Sequence, residues 1–139
     1  MALPFTIAII TNKDGNFLVG RHPDLERKPY PGLWDMPGGK VEENETFEDA
    51  LKREVKEETG FEVTSATLVA VFHHFRSSFK PCASPLTVPG IGICYKIEVT
   101  GDFKPTELED MHWASVEELA ELELTPWCDY LLRIRPWEI

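Results

Sequence analysis

The sequence predicts an α/β domain, with strands around one dominant helix and two shorter helices near the end of the chain. Three observations carry this prediction. Residues 4–11, PFTIAIIT, are an apolar, β-branched run that ends near a turn signal, Lys13-Asp14-Gly15. Residues 46–59 place apolar side chains at helical spacing between a threonine cap and a glycine stop. Further strand-like segments follow before a capping-box helix and a proline-initiated helix.

Taken in order, residues 4–11 read as a buried first strand rather than a secretory leader, since no basic region precedes the apolar run. Residues 16–22, NFLVGRH, read as its return in a hairpin, with Asp14-Gly15 as the turn. The stretch 23–33 holds three prolines and Gly32 and is expected to be a loop. LWDMPGGK (33–40) reads as a short strand entering a Gly-Gly turn.

In the helix over 46–59, Thr46 is the N-cap, Asp49 stands at the third helical position, and Gly60 suits the left-handed residue after the last turn. Phe47, Ala50, Leu51, Val55 and the stem of Glu58 form its apolar stripe. Residues 61–75 read as strand with an internal turn, and residues 90–100 as another strand, closed by Gly101-Asp102. Between them, 76–89 is an irregular segment long enough to be functional. MHWA (111–114) is a short strand, Ser115 to Glu118 a capping box, and 126–134 an amphipathic helix begun by Pro126.

The 139 residues are expected to form one domain, 1–139. No apolar run reaches the ~18 to 20 residues of a membrane span, so no membrane partner is expected and the default location is cytoplasmic. Cys82, Cys94 and Cys128 are odd in number and widely spaced, which argues for free thiols rather than a disulfide framework or structural zinc. The net charge of −10 opposes nonspecific nucleic-acid binding. It leaves room for a phosphorylated substrate, because a divalent cation reverses the local sign.

The acidity is concentrated at REVKEETGF (53–61), where Glu54, Glu57 and Glu58 lie three and four residues apart. On a helix such neighbours repel by roughly 0.2 to 0.5 kcal/mol per pair. A face selected only for solubility would mix in lysine or arginine. Carboxylates gathered this way become favourable when they share a hard cation with oxygen ligands, such as Mg²⁺.

The surrounding spacing is Gly39, five residues, Glu45, seven residues, Arg53-Glu54-Val55, one residue, Glu57-Glu58, one residue, Gly60-Phe61. This resembles the Nudix box at every defining position. The preceding hairpin, LWDMPGGK and the later Trp113-to-Leu119 segment also look Nudix-like. The resemblance implies a Nudix fold: an α/β/α sandwich with a mixed β-sheet and the box as loop-helix-loop. It also implies hydrolysis of a diphosphate joined to another moiety, with Mg²⁺, or Mn²⁺ in its place, held by Glu54, Glu57 and Glu58 and the Gly39 carbonyl. Arg53 would orient Glu57, and Glu45 would steady the loop. The general base is either Glu54 or a carboxylate outside the box. Glu107 is the candidate there, and Glu109 and Asp110 compete with it.

Substrate contacts are expected from Arg21 and His22 at the end of the second strand, while Trp127 and Asp129 at the start of the last helix read either as contacts to a base or, equally, as helix packing and capping. For Trp34, core packing is the stronger expectation. In FHHF (72–75), Phe72 and His74 would share one face of a strand. A MutT-like size and layout favours a nucleoside triphosphate, cleaved as by a (d)NTP pyrophosphohydrolase. Hydrolysis of ADP-ribose, nucleotide sugars or dinucleoside polyphosphates is the alternative within the family. A non-catalytic Nudix-fold module binding a ligand or RNA is the alternative of another class. Beyond a nucleotide-type substrate, a homodimer is an open expectation.

Overall fold

A computed structural model describes residues 3–24, 30–74, 90–104 and 108–138. Its strands are β1 (Leu3–Ile9), β2 (Phe17–Arg21), β3 (Trp34–Asp35), β4 (Gly38–Lys40), β5 (Glu62–His74), β6 (Gly90–Thr100) and β7 (Glu109–Ala114). Its helices are α1 (Phe47–Thr59), α2 (Val116–Glu121) and α3 (Pro126–Ile134), followed by a 3-10 turn at Pro136–Glu138. Among the described residues the strands form two sheets, one of order β4-β1-β6-β5 and one of order β3-β2-β7. The first is mixed: β1 runs parallel to β6 and antiparallel to β4, and β5 is antiparallel to β6.

Alternation along the strands builds the layers. Ile7 and Ile9 of β1 pack in a cluster with Leu119, Trp127 and Leu131 from α2 and α3. Ala8, and Ile10 just beyond the strand, face the other way, into a cluster with Leu51 and Val55 of α1. The same split separates Phe17 and Val19 from Leu18, and Cys94 from Ile93 and Tyr95. Side chains alternate across a strand, so a strand apolar at every position must be covered on both faces. The expected α/β/α sandwich follows from this rule.

Four local expectations change in detail. The hairpin after β1 is closed only near its turn, where Leu18 N donates to Ile10 O and Gly15 N to Asn12 O. Beyond it the strands part, β1 into the mixed sheet and β2 into the antiparallel one. LWDMPGGK likewise splits into β3 and β4, in different sheets, with Pro37 between them accepting from Ala8 N. The internal turn expected within 61–75 is replaced by register shifts in one continuous strand, between Val63 and Ser65 and between Leu68 and Ala70. Phe47, assigned to the apolar stripe of α1, is 47% exposed at the first helical position.

The other signals of α1 are realised. The Thr46 side chain accepts from Asp49 N, and Gly60 takes the left-handed conformation with φ of 82°. Ser115 and Glu118 form the reciprocal capping box that opens α2. No helix among the described residues is long and apolar enough to cross a membrane. The segment 76–89 lies outside the described residues.

Leu51 is fully buried between α1 and the mixed sheet. Leu51→Ala should cost about 2 to 5 kcal/mol of unfolding free energy. Chemical denaturation checks this, and a loss well under 1 kcal/mol would mean that α1 is not packed as described.

Candidate functional site

The candidate site forms where α1 meets the backbone of Gly38 and Gly39. Glu58 is a carboxylate that is only 5% exposed, an arrangement that demands a partner. Its Oε1 accepts from Gly38 N at 2.7 Å. Gly38 has φ of +154°, and a Cβ there would run into the carbonyl oxygen of Thr6. A Cβ on Gly39 would lie within 2.7 Å of both Glu54 carboxylate oxygens. Gly38 is therefore a packing requirement, because its clash is with backbone, while a side chain at Gly39 would displace the end of Glu54: the acidic face of α1 sits directly on bare backbone. The Gly39 carbonyl is held from the other side by Thr6 Oγ1 at 3.3 Å.

Arg53 neutralises much of the acidic crowding. It makes two bonds to Glu45, Nε to Oε2 at 3.1 Å and Nη2 to Oε1 at 2.7 Å, the paired geometry a guanidinium favours. Nη1 donates to Glu54 Oε1 at 2.8 Å and more distantly to Glu57 Oε2 at 3.5 Å, while Nη2 also reaches the Lys40 carbonyl. The role expected for Arg53 is thus spread differently: it grips Glu45 and Glu54 most closely and Glu57 least. The bonds to Glu45, then those to Glu54, raise the Arg53 pKa above its ordinary range. The Arg53 hydrogen bond, with the backbone bond between Glu45 and Glu42, lowers that of Glu45. Among the described residues, no three His, Cys, Asp or Glu side chains are gathered closely enough to hold a metal ion. Glu54 is drawn to Arg53 and Glu58 to the Gly38 amide.

The other expected site residues separate into distinct places. Arg21 pairs with Asp110 at 2.8 Å and Glu109 at 3.3 Å, so two of the competing base candidates are bound to it. Glu107 lies outside the described residues. Trp127 is buried between Phe5 and Tyr30, with ring centroids 5.2 and 4.8 Å away. Asp129 is exposed and paired with Arg133. Trp34 is half-buried, packs on the core and stacks edge-on against His112. Phe72 is buried against Phe5 and Tyr130. Cys94 and Cys128 are buried free thiols, and burial pushes Cys94 up to about 12. Cys82 lies outside the described residues.

A residue that sequence reasoning passed over is Asp35. It is 7% exposed, and both its oxygens are engaged. Oδ1 accepts from Trp127 Nε1 at 2.7 Å, Cys128 Sγ at 3.0 Å and Thr125 Oγ1 at 3.3 Å. Oδ2 faces His22 Nε2 at 2.9 Å. The only sequence signal was an aspartate within the apolar segment LWDMP, a charge that burial makes conspicuous. Burial works against the His22 proton, but the hydrogen bond and charge of Asp35 outweigh it, and the pKa rises above 6.5.

The sequence matches the family model described as NUDIX domain over residues 3–133. It is 39% identical over 72 residues to an 8-oxo-dGTP diphosphatase of Proteus vulgaris, covering 52% of this chain and 62% of that protein. It is 31% identical over 120 residues to a CTP pyrophosphohydrolase of Escherichia coli (strain K12), covering 86% and 82% respectively. The crystal structure of a MutT protein from Methanosarcina mazei Go1 superposes with a TM-score of 0.80 at 26% identity, covering 99% of this chain and 94% of that one. With the box geometry already in place, the chain belongs to the Nudix family, a family of phosphoanhydride hydrolases. The alignment with the first of these relatives spans less than two thirds of that protein's length.

Two expectations follow from this geometry. Gly39→Ala should abolish most turnover while leaving circular dichroism near normal, because the added methyl displaces the Glu54 carboxylate; full activity would show that the contact is slack. For His22 the folded pKa is raised, so its pairing with Asp35 stabilises fully below pH about 6.5 and is lost as pH rises through the folded value. The melting-temperature gap between wild type and His22→Ala should therefore be wider near pH 6 than near pH 8.5. A gap independent of pH would contradict the ion pair.

Proposed function

We propose that this Nudix hydrolase cleaves a diphosphate linkage in nucleotides with the help of a divalent cation, and that its preferred substrates are nucleoside triphosphates, split to the monophosphate and pyrophosphate. The observation that carries the reading is the contact of the α1 carboxylates with the backbone at Gly38 and Gly39, Glu58 accepting from the Gly38 amide and Glu54 lying against Gly39. The donors there are carboxylate oxygens and a main-chain carbonyl, the hard set that suits Mg²⁺ or Mn²⁺. Glu54, Glu57, Glu58 and the Gly39 carbonyl would hold the cation once Glu54 and Glu58 turn from their bonds to Arg53 and the Gly38 amide. When bound, it neutralises charge building on the diphosphate oxygens as water attacks phosphorus.

The chain's own groups prepare that step. Arg53 directs the carboxylates of Glu54 and Glu57, and its bonds to Glu45 and the Lys40 carbonyl tie α1 to the preceding loop. Glu54, in contact with Gly39 and Arg53, is the general base favoured by position, with Glu107 as the rival. The glycine backbone lets phosphate oxygens approach the main chain closely. The names of the aligned bacterial relatives refer to 8-oxo-dGTP and CTP, both nucleoside triphosphates, which agrees with the MutT-like size and layout.

Glu57→Gln should lower kcat by about two or more orders of magnitude with the fold retained. Turnover of a nucleotide panel should vanish with chelator and return with Mg²⁺ or Mn²⁺. Pyrophosphate plus monophosphate as products supports the triphosphate reading. Two monophosphate esters from a nucleotide sugar would replace it, and chelator-resistant hydrolysis would remove the metal-assisted mechanism.

A further inference from the structure

The outermost strand of a sheet leaves a row of unpaired N–H and C=O groups on which another strand can add, and proteins guard such edges with short strands, charges or proline. Among the described residues, β4, β3 and β7 are guarded edges. β4 spans three residues, follows Pro37 and ends on Lys40. β3 spans two residues. β7 opens on Glu109 and Asp110, both tied to Arg21. β5 differs from them. It runs for 13 residues at the outside of the mixed sheet, and its only strand partner there is β6. Its one acidic residue, Glu62, stands at the very start and is paired with Lys56. From 63 to 72 it carries neither an ionisable side chain nor a proline, in a chain that is 27% charged.

The register shift between Leu68 and Ala70 gives this edge an apolar side. Residues three apart on a regular strand face opposite ways, and a bulge re-aims them. Here Leu68 stands opposite Tyr95 and Val71 opposite Ile93, and both of those belong to the cluster on the α1 side of the sheet. Tyr95 and Ile93 are buried, whereas Leu68 is 54% and Val71 60% exposed. The cover over the inner strand therefore does not extend to the outer one. Two large aliphatic side chains face water beside a free backbone edge.

We propose that β5 is a dimerisation edge, which pairs antiparallel with β5 of a second copy across a two-fold axis between Val69 and Ala70. That axis sets Leu68 of each copy opposite Val71 of the other, so both aliphatic pairs leave water together. Two observations select a second copy as the occupant. Opposed residues of an antiparallel pair share a face, and the bulge puts Leu68 and Val71 on one face, so the edge is complementary to itself. Charge agrees: two chains of net charge −10 repel, and a neutral strand is where they can approach at the lowest Coulomb cost. A basic partner would find no acidic side chain along 63–72 to recognise. In the joined sheet β4 lies at both outer ends, so the contact of α1 with Gly38 and Gly39 stays away from the interface in each copy.

Sedimentation equilibrium of the whole chain tests this. Wild type should show a monomer–dimer equilibrium. Leu68→Lys and Val71→Lys change side chains that are exposed in the single chain, so the melting temperature of dilute protein should hold. Each should raise the dimer dissociation constant about tenfold or more, because like charges then flank the axis. Ile134→Lys, a comparably exposed aliphatic on α3, should leave it unchanged. In hydrogen exchange, the β5 amides that point away from β6 should exchange more slowly in concentrated than in dilute wild type, and at one rate in Val71→Lys. A wild type that stays monomeric to its highest soluble concentration overturns the proposal. So does a dimer that survives both lysines, one that Ile134→Lys breaks instead, or one whose β5 amides exchange at a rate independent of concentration.

Discussion

The acidic face of α1 lies directly on the backbone of Gly38 and Gly39, and the rest of the site is arranged around that contact. A buried carboxylate is costly unless its oxygens find donors. Glu58 finds one in the Gly38 amide. A Cβ on Gly38 would run into the Thr6 backbone of β1, and one on Gly39 would press on the Glu54 carboxylate, so bare backbone at both positions leaves room for this arrangement. The helix position, the turn sequence and the charge of the site are thus one constraint, expressed on two segments about twenty residues apart.

Repulsion among the acids is managed by Arg53. Its pairing with Glu45 and Glu54 sits at the junction of loop and helix, so the same guanidinium lowers the electrostatic cost of the cluster and fixes how the loop enters α1. Exposed ion pairs contribute little on their own. Here the pair to Glu45 is two-pronged and largely shielded, which gives it orienting power. On the opposite side of the mixed sheet, Asp35 plays a comparable part for α3 and His22. Among the described residues the chain therefore has these two ionic hubs: an arginine among acids and an aspartate among neutral donors and a histidine.

The two sheets give these hubs their places. β1 passes between the two apolar clusters, and its neighbours β4 and β6 bring the glycine pair and a second buried strand alongside it. The chain leaves β3 in one sheet and enters β4 in the other within three residues. Asp35 and Gly38 stand on either side of that crossing, so the site lies where the antiparallel sheet hands the chain to the mixed one.

Much was determined by sequence alone. The α/β/α layering was implicit in strands apolar at consecutive positions and in a helix with a single apolar stripe. Local chemistry placed the caps at Thr46, Gly60 and Ser115. The resemblance to the Nudix box marked Gly39, Glu45, Arg53, Glu54, Glu57 and Glu58 as one group, while i, i+3 and i+4 spacing by itself brought together only those on the helix, Arg53, Glu54, Glu57 and Glu58. Only the tertiary structure decided the rest. The splitting of the first hairpin between two sheets, the burial of Trp127 and the pairing of Arg21 with Glu109 and Asp110 all depend on partners distant in sequence. So does Asp35, an acid in an apolar stretch whose donors stand thirteen residues before it and some ninety after it. Local pattern reports contacts within a turn of helix or along a strand; a side chain's partner across the core is set by packing, which no short stretch of sequence encodes.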